Sequence, residues 1–306
     1  QNYIYSLLES ILIMKNISIF EGMRFVLKIL DFLVVTNVYV ATGTFSLTWL
    51  SLQFYGNDKL DLAFFVFFST LFAYNFIRLA RVQHMIKEGD STRHKNIFRF
   101  RAFLWFFSII SAIAAFIFFL RVDESIYYPL LFMGLISIAY SLPVYKKQGI
   151  WLRLRDMPFI KIFIIAFVWA IVTSLFPMQV SDVPINWLVV IERFLFVFAI
   201  TIPFDIRDLR FDAENLNTIP QVFGIKKARY IGLVAIVIAE ALLFYNYFFF
   251  GMYSLFSALA IYISYELSAV LVYKSHPSLT ERYFTLGVEG TSILLGLLFY
   301  LSQNLL

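Results

Sequence analysis

Runs of roughly 20 apolar residues, the length that crosses a bilayer, return along the whole chain and are separated only by short basic or turn-rich stretches. Segments of that kind have to bury every backbone donor and acceptor internally, which leaves helices as the default. With 61% hydrophobic and only 15% charged residues among 306, a water-facing globule is excluded, because its surface needs far more ionic side chains. Soluble enzymes, nucleic-acid binders and secreted modules go with it. The chain has no Cys, so disulfides, thiolate metal sites and Cys nucleophiles are excluded as well.

The pattern predicts an all-α, polytopic membrane protein with about nine spans, near 25–48, 61–83, 103–120, 126–143, 158–176, 186–204, 229–250, 253–273 and 284–302. Residues 1–22 place Ile4, Leu7, Leu8, Ile11 and Leu12 at near-helical spacing among Glu9, Lys15 and Glu21, which reads as an amphipathic interfacial segment. They lack the uninterrupted apolar stretch of a signal peptide. Residues 23–306 read as one nine-helix domain. Alternation of the spans collects 22 basic residues on or beside one face, against Lys59 and Arg121 on the other, with Arg193 inside a span. The positive-inside rule makes the crowded face cytoplasmic, and a bacterial inner membrane is expected. Pro143, Pro158, Pro177, Pro184 and Pro203 are expected at or near span ends, where a missing backbone donor costs least.

The sixth span ends in Ile202-Pro-Phe-Asp-Ile-Arg-Asp-Leu-Arg-Phe-Asp212, followed by Thr218-Ile-Pro and Gly224. Asp205, Asp208 and Asp212 stand at i, i+3 and i+7, so a continuing helix projects all three from one face. Clustered carboxylates repel, and a hard divalent cation relieves that. Magnesium takes few carboxylates and completes its shell with phosphate oxygens and water, so a metal-bound diphosphate suits the cluster. Solvated charges on an interfacial loop, interleaved with Arg207 and Arg210, fit the same spacing.

Nine spans, an Asp-x-x-Asp-x-x-x-Asp motif after the sixth, and Thr218-Ile-Pro…Gly224 followed by Lys226, Lys227 and Ala228 resemble the UbiA superfamily of intramembrane prenyltransferases. That resemblance implies helices around a central cavity, two acidic motifs holding an isoprenoid diphosphate through Mg2+, and prenyl transfer to a lipophilic, often aromatic, acceptor. It assigns Asp205, Asp208 and Asp212 as metal ligands and catalytic groups. The other acidic motif is expected at the end of the second span, and here the sequence departs. Asn75 holds the leading Asn position, but Phe76, Leu79 and Gln83 stand where aspartates belong. The Arg frame survives, since Ile77-Arg78-x-x-Arg81 matches Ile206-Arg207-x-x-Arg210. A second magnesium is therefore held weakly, and Arg78 and Arg81 offer guanidinium forks for diphosphate instead. The loop after the fourth span, with Tyr140, Lys146, Arg153 and Lys161, is similar to the family's loop over the diphosphate, which makes these residues candidate substrate contacts.

Asp31, Glu192, Arg193, Glu240, Glu266 and Glu289 lie inside spans. A charge in hydrocarbon is costly, so each is expected to face a polar interior or a partner. Three functions compete. One is a prenyltransferase or a cyclase of the same lineage, the second a silent lipid-binding or scaffolding subunit of a membrane complex, and the third a transporter, for which no inverted repeat is visible.

Overall fold

The computed structural model describes residues 22, 24–85, 101–147, 150–157, 159–209 and 217–303. The expected interfacial segment and Asp212 lie outside them, as do the side chains of Arg81 and Gln83. Ten helices and one short hairpin make up the described chain: α1 (Arg24–Val35), α2 (Val38–Phe54), α3 (Asp61–Met85), α4 (Arg101–Phe119), α5 (Tyr127–Ser141), β1 (Tyr145–Lys147), β2 (Ile150–Leu152), α6 (Ile160–Val180), α7 (Trp187–Asp208), α8 (Ile219–Phe250), α9 (Leu255–Lys274) and α10 (Tyr283–Gln303).

Among the described residues seven helices are long and apolar enough to cross a membrane, and α1 with α2 make an eighth if the pair is one span bent by 79°. The predicted span at 126–143 forms α5, whose 15 residues cover only about 23 Å at 1.5 Å per residue and fall short of a 30 Å hydrocarbon layer. The chain is an integral membrane protein by this measure. Its outward faces agree: Phe116 on α4, Leu135 on α5, Val237 and Phe248 on α8 are all exposed, an apolar exterior that water does not tolerate.

The bundle is built by α7 packed between α6 and α8, α2 between α3 and α10, α3 on α4, and α9 between α8 and α10. One core joins Leu47, Phe196, Ile202, Ala239, Tyr265 and Phe299. A second joins Leu52, Val66, Ile126, Phe176 and Met178. Where apolar burial cannot drive helices together, close approach over small residues does. Gly296 of α10 lies directly against Ser46 of α2, so that any side chain there collides with the neighbouring helix.

Two prolines stand near span ends but within the helices. Pro203 sits inside α7, and Pro177 inside α6. The helix accommodates Pro177 through a wider turn at Ile171–Leu175, which resets the hydrogen-bond ladder around the missing donor. At the start of α8, Gln221 Oε1 accepts the Thr218 N–H at 3.0 Å, and Gly224 breaks the helix at φ +80°, a conformation that favours glycine. The ends of α3 and α7 and the starts of α6 and α10 lie at one end of the bundle, called the motif end below.

Candidate functional site

α6 and α7 pack side by side, which sets the beginning of one against the end of the other. Phe159, in the left-handed region at φ 62°, turns the chain into α6 and delivers Lys161 on its first turn. Lys161 Nζ donates to Asp205 Oδ1 at 2.6 Å. Asp205 is 1% exposed, and a carboxylate so removed from water needs this opposite charge. One turn on, Asp208 accepts from the guanidinium of Arg207 through Nε at 2.7 Å and Nη2 at 3.1 Å. Arg207 also reaches Glu281 Oε1 at 2.9 Å through Nη1, and its guanidinium lies over the rings of Phe204 and Phe284. Glu289 acts electrostatically on both Arg207 and Arg78.

The spacing of the acids calls for a divalent cation to relieve their repulsion. At Asp205 and Asp208 an ammonium and a guanidinium provide that relief. Among the described residues no three His, Asp or Glu side chains gather as a metal site.

The equivalent end of α3 is of another kind. Asn75 is fully buried; its Oδ1 accepts from Asn37 Nδ2 at 2.7 Å and its Nδ2 donates to the Thr36 carbonyl at 3.1 Å. Arg78 donates to the carbonyl of Val35. Both therefore grip the bend between α1 and α2, where Asn37 itself adopts φ 60° and the ladder between the two helices is interrupted. Phe76 stacks on Phe72, and Leu79 is buried.

The remaining sequence candidates divide. Tyr140 acts electrostatically on Lys161 and lies beneath the guanidinium of Arg155, 5.5 Å from ring centroid to charge. Arg153 is turned to Asp156, with Nε and Nη2 each 2.9 Å from a carboxylate oxygen. Lys146 is exposed on β1. The structure thus brings Asp205, Asp208, Lys161, Tyr140 and, through Glu289, Arg78 to one region, and leaves Lys146 on the hairpin and Arg153 just after it with their own surroundings. Sequence reasoning missed Glu281, the electrostatic influence of Arg207 and Arg78 on Glu289, and the central position of Arg207. The signal available was Arg207 in the frame shared with Arg78.

A second polar group lies toward the opposite end of α7. Glu192 Oε1 accepts from Tyr265 at 2.9 Å, while Arg193 donates to the Leu47 carbonyl and Thr173 at 3.3 and 3.4 Å. Both line a small cavity of about 10 Å³, room for about one water. Each thus has the partner expected of a charge inside a span, and each partner is a neutral group.

No family model matches the sequence, and neither does any curated protein. Solved structures do match. A UbiA homolog from Archaeoglobus fulgidus superposes with a TM-score of 0.59 at 14% identity, over 89% of this chain and 99% of its own. The apo structure of a UbiA homolog from Aeropyrum pernix K1 gives 0.60 at 12%, over 86% and 98%. The Archaeoglobus homolog bound to GPP and Mg2+ gives 0.59 at 13%, over 89% and 96%.

Proposed function

We propose that this chain, whose fold is that of the UbiA superfamily, is a membrane prenyltransferase that works on an allylic isoprenoid diphosphate with a single magnesium ion and passes the prenyl chain to a lipophilic acceptor. The observation that carries the reading is the pairing at the end of α7: two carboxylates one turn apart, each beside its own cation. Two carboxylates are the usual protein share of a magnesium whose remaining ligands are phosphate oxygens and water. The likeness to a homolog bound to GPP and Mg2+ supports the same ligand class. The donor set at α7 fits one ion, held by Asp205 and Asp208, with Asp212 as the third ligand that the resemblance assigns. The α3 end, with Asn75, Phe76 and Leu79, fits none.

Magnesium bound there supplies charge neutralisation to the leaving diphosphate. The residues of the chain do the rest. Lys161 and Arg207 sit where phosphate oxygens displace the carboxylates from them, and charge-assisted donors of this kind stabilise charge as it develops. Arg78 and Tyr140 are the further diphosphate contacts of this reading, Arg78 at the α3 end where the acidic motif is absent. The allylic carbon–oxygen bond breaks with its electron pair leaving on diphosphate, the acceptor donates the pair of the new bond, and the acceptor's proton departs. The buried setting of Asp205 excludes water that would otherwise capture the cation. The basic motif end faces the cytoplasm in this reading, and the membrane is the bacterial inner one.

A second reading rests on one specific observation, the Lys161 ammonium seated on Asp205 at 2.6 Å. If that contact is permanent, the protein is a silent lipid-binding subunit of a larger complex. Purified protein given an allylic diphosphate distinguishes the two. The enzyme reading expects magnesium-dependent release of diphosphate that falls at least a hundredfold in Asp208→Asn, which spares the buried pair. Binding without release, unchanged by Asp208→Asn or by magnesium, supports the silent subunit.

A further inference from the structure

Of the six ionisable groups inside spans, four have evident company. Asp31 is joined to Arg282 by contacts of 2.6 and 2.9 Å, Glu192 to Tyr265, Arg193 to Thr173 and the Leu47 carbonyl, and Glu289 feels the charges of Arg207 and Arg78. Glu240 and Glu266 differ. They stand on the adjoining helices α8 and α9, close enough to act on one another, and no cation pairs with either among the described residues. Tyr262 donates to Glu266 Oε1 at 2.8 Å, and Glu240 Oε1 has no hydrogen-bond partner.

Their depth makes this notable. Glu266 lies about 12 Å from the Lys274 end of α9 and Glu240 about 15 Å from the Phe250 end of α8, at ~1.5 Å per residue. Both are thus near mid-membrane. Their surroundings are lipid-facing, with Val237 62%, Ile263 48% and Leu267 45% exposed. Carboxylates in hydrocarbon require a partner. Sharing one proton would join the two by a hydrogen bond, and none links them. Lipid headgroups lie at the membrane surfaces, beyond reach at this depth. A second copy of the chain brings no matching charge either, since the mid-depth cation among the described residues, Arg193, is 6% exposed and already engaged inside the bundle.

We propose that the face formed by Glu240, Tyr262 and Glu266 on α8 and α9 docks a membrane-spanning helix of another protein that carries a Lys or Arg at mid-depth. The basic side chain enters between the two carboxylates, while Val237, Ile263 and Leu267 pack the partner's apolar surface. The inference is independent of the prenyltransferase reading, since this face lies on the outside of the bundle.

The test uses the full chain reconstituted in phosphatidylcholine vesicles, with a labelled leucine-rich helical peptide of about 24 residues, long enough to span, bearing either one central Lys or Leu in its place. Association is read by energy transfer. The expected result is binding of the Lys peptide about tenfold tighter than the Leu peptide, a preference removed in Glu240→Gln/Glu266→Gln while the Leu-peptide background is unchanged. The single variant Glu266→Gln and Tyr262→Phe, each weakening the preference in part, cover the case in which the double variant fails to fold. Equal binding of the two peptides, or a preference that survives Glu266→Gln and the double variant, overturns the proposal. So does self-association of the chain that depends on these glutamates.

Discussion

The ends of α3 and α7 share an Arg frame and differ in almost everything built on it. At α7 the frame carries Asp205 and Asp208, and Arg207 serves the acids around it, bonding Asp208 and Glu281. At α3 the same positions carry Phe76 and Leu79, and Arg78 turns to the backbone of Val35. One end gathers charge, while the other holds a bend. Removing carboxylates from a helix end does not leave a vacancy; the side chains that remain are recruited to satisfy backbone groups exposed by the 79° turn between α1 and α2.

The largest expected effect breaks the charged end. Lys161→Met strands Asp205 in a buried position, and losing one member of a buried pair costs about 3–5 kcal/mol. Unfolding of the detergent-solubilised protein should show that loss, with most of it recovered in Lys161→Met/Asp205→Asn. If the single and double variants are equally unstable, the pair is not what stabilises this end.

Next comes the structural end. Asn75→Leu leaves Asn37 and the Thr36 carbonyl without their partner, for which about 1–3 kcal/mol is expected, with the dependence of diphosphate binding on magnesium left as it was. A variant that is stable but has lost its magnesium dependence would move Asn75 from the bend to the ligand.

How much of this was legible beforehand follows from the range of each interaction. The membrane class and helical fold were readable because apolar length is a local property, repeated span after span. The loss of acids at α3 was readable because the two helix ends align residue by residue. The spending of Asn75 and Lys161 was not, because their partners are 38 and 44 residues distant and no periodicity connects them. Pro177 and Pro203 lie near their span ends as expected, yet inside the helices and not beyond them, because a wide turn and neighbouring helices let the last turns carry proline. Count was the other weak point, since α5 has the composition of a span without the length.

Smaller effects sharpen the contrast. Phe76→Asp/Leu79→Asp/Gln83→Asp puts carboxylates back at α3 and should raise magnesium affinity severalfold in a titration with diphosphate present; an unchanged affinity would mean that this helix end does not face the ligand. Smallest of all, Arg153→Ala just after the hairpin removes a partly exposed pair with Asp156, for which up to about 0.5 kcal/mol is expected. A large loss of diphosphate affinity in that variant would bring the hairpin into the site.

The central claim is a cage with metal ligands on one side only. Counting Mn2+ ions bound per chain by paramagnetic resonance, in the presence of a non-cleavable allylic diphosphate analogue, tests it most directly. One ion, lost in Asp205→Asn/Asp208→Asn and indifferent to Asn75→Leu, is the predicted result; two ions, or none, would contradict it.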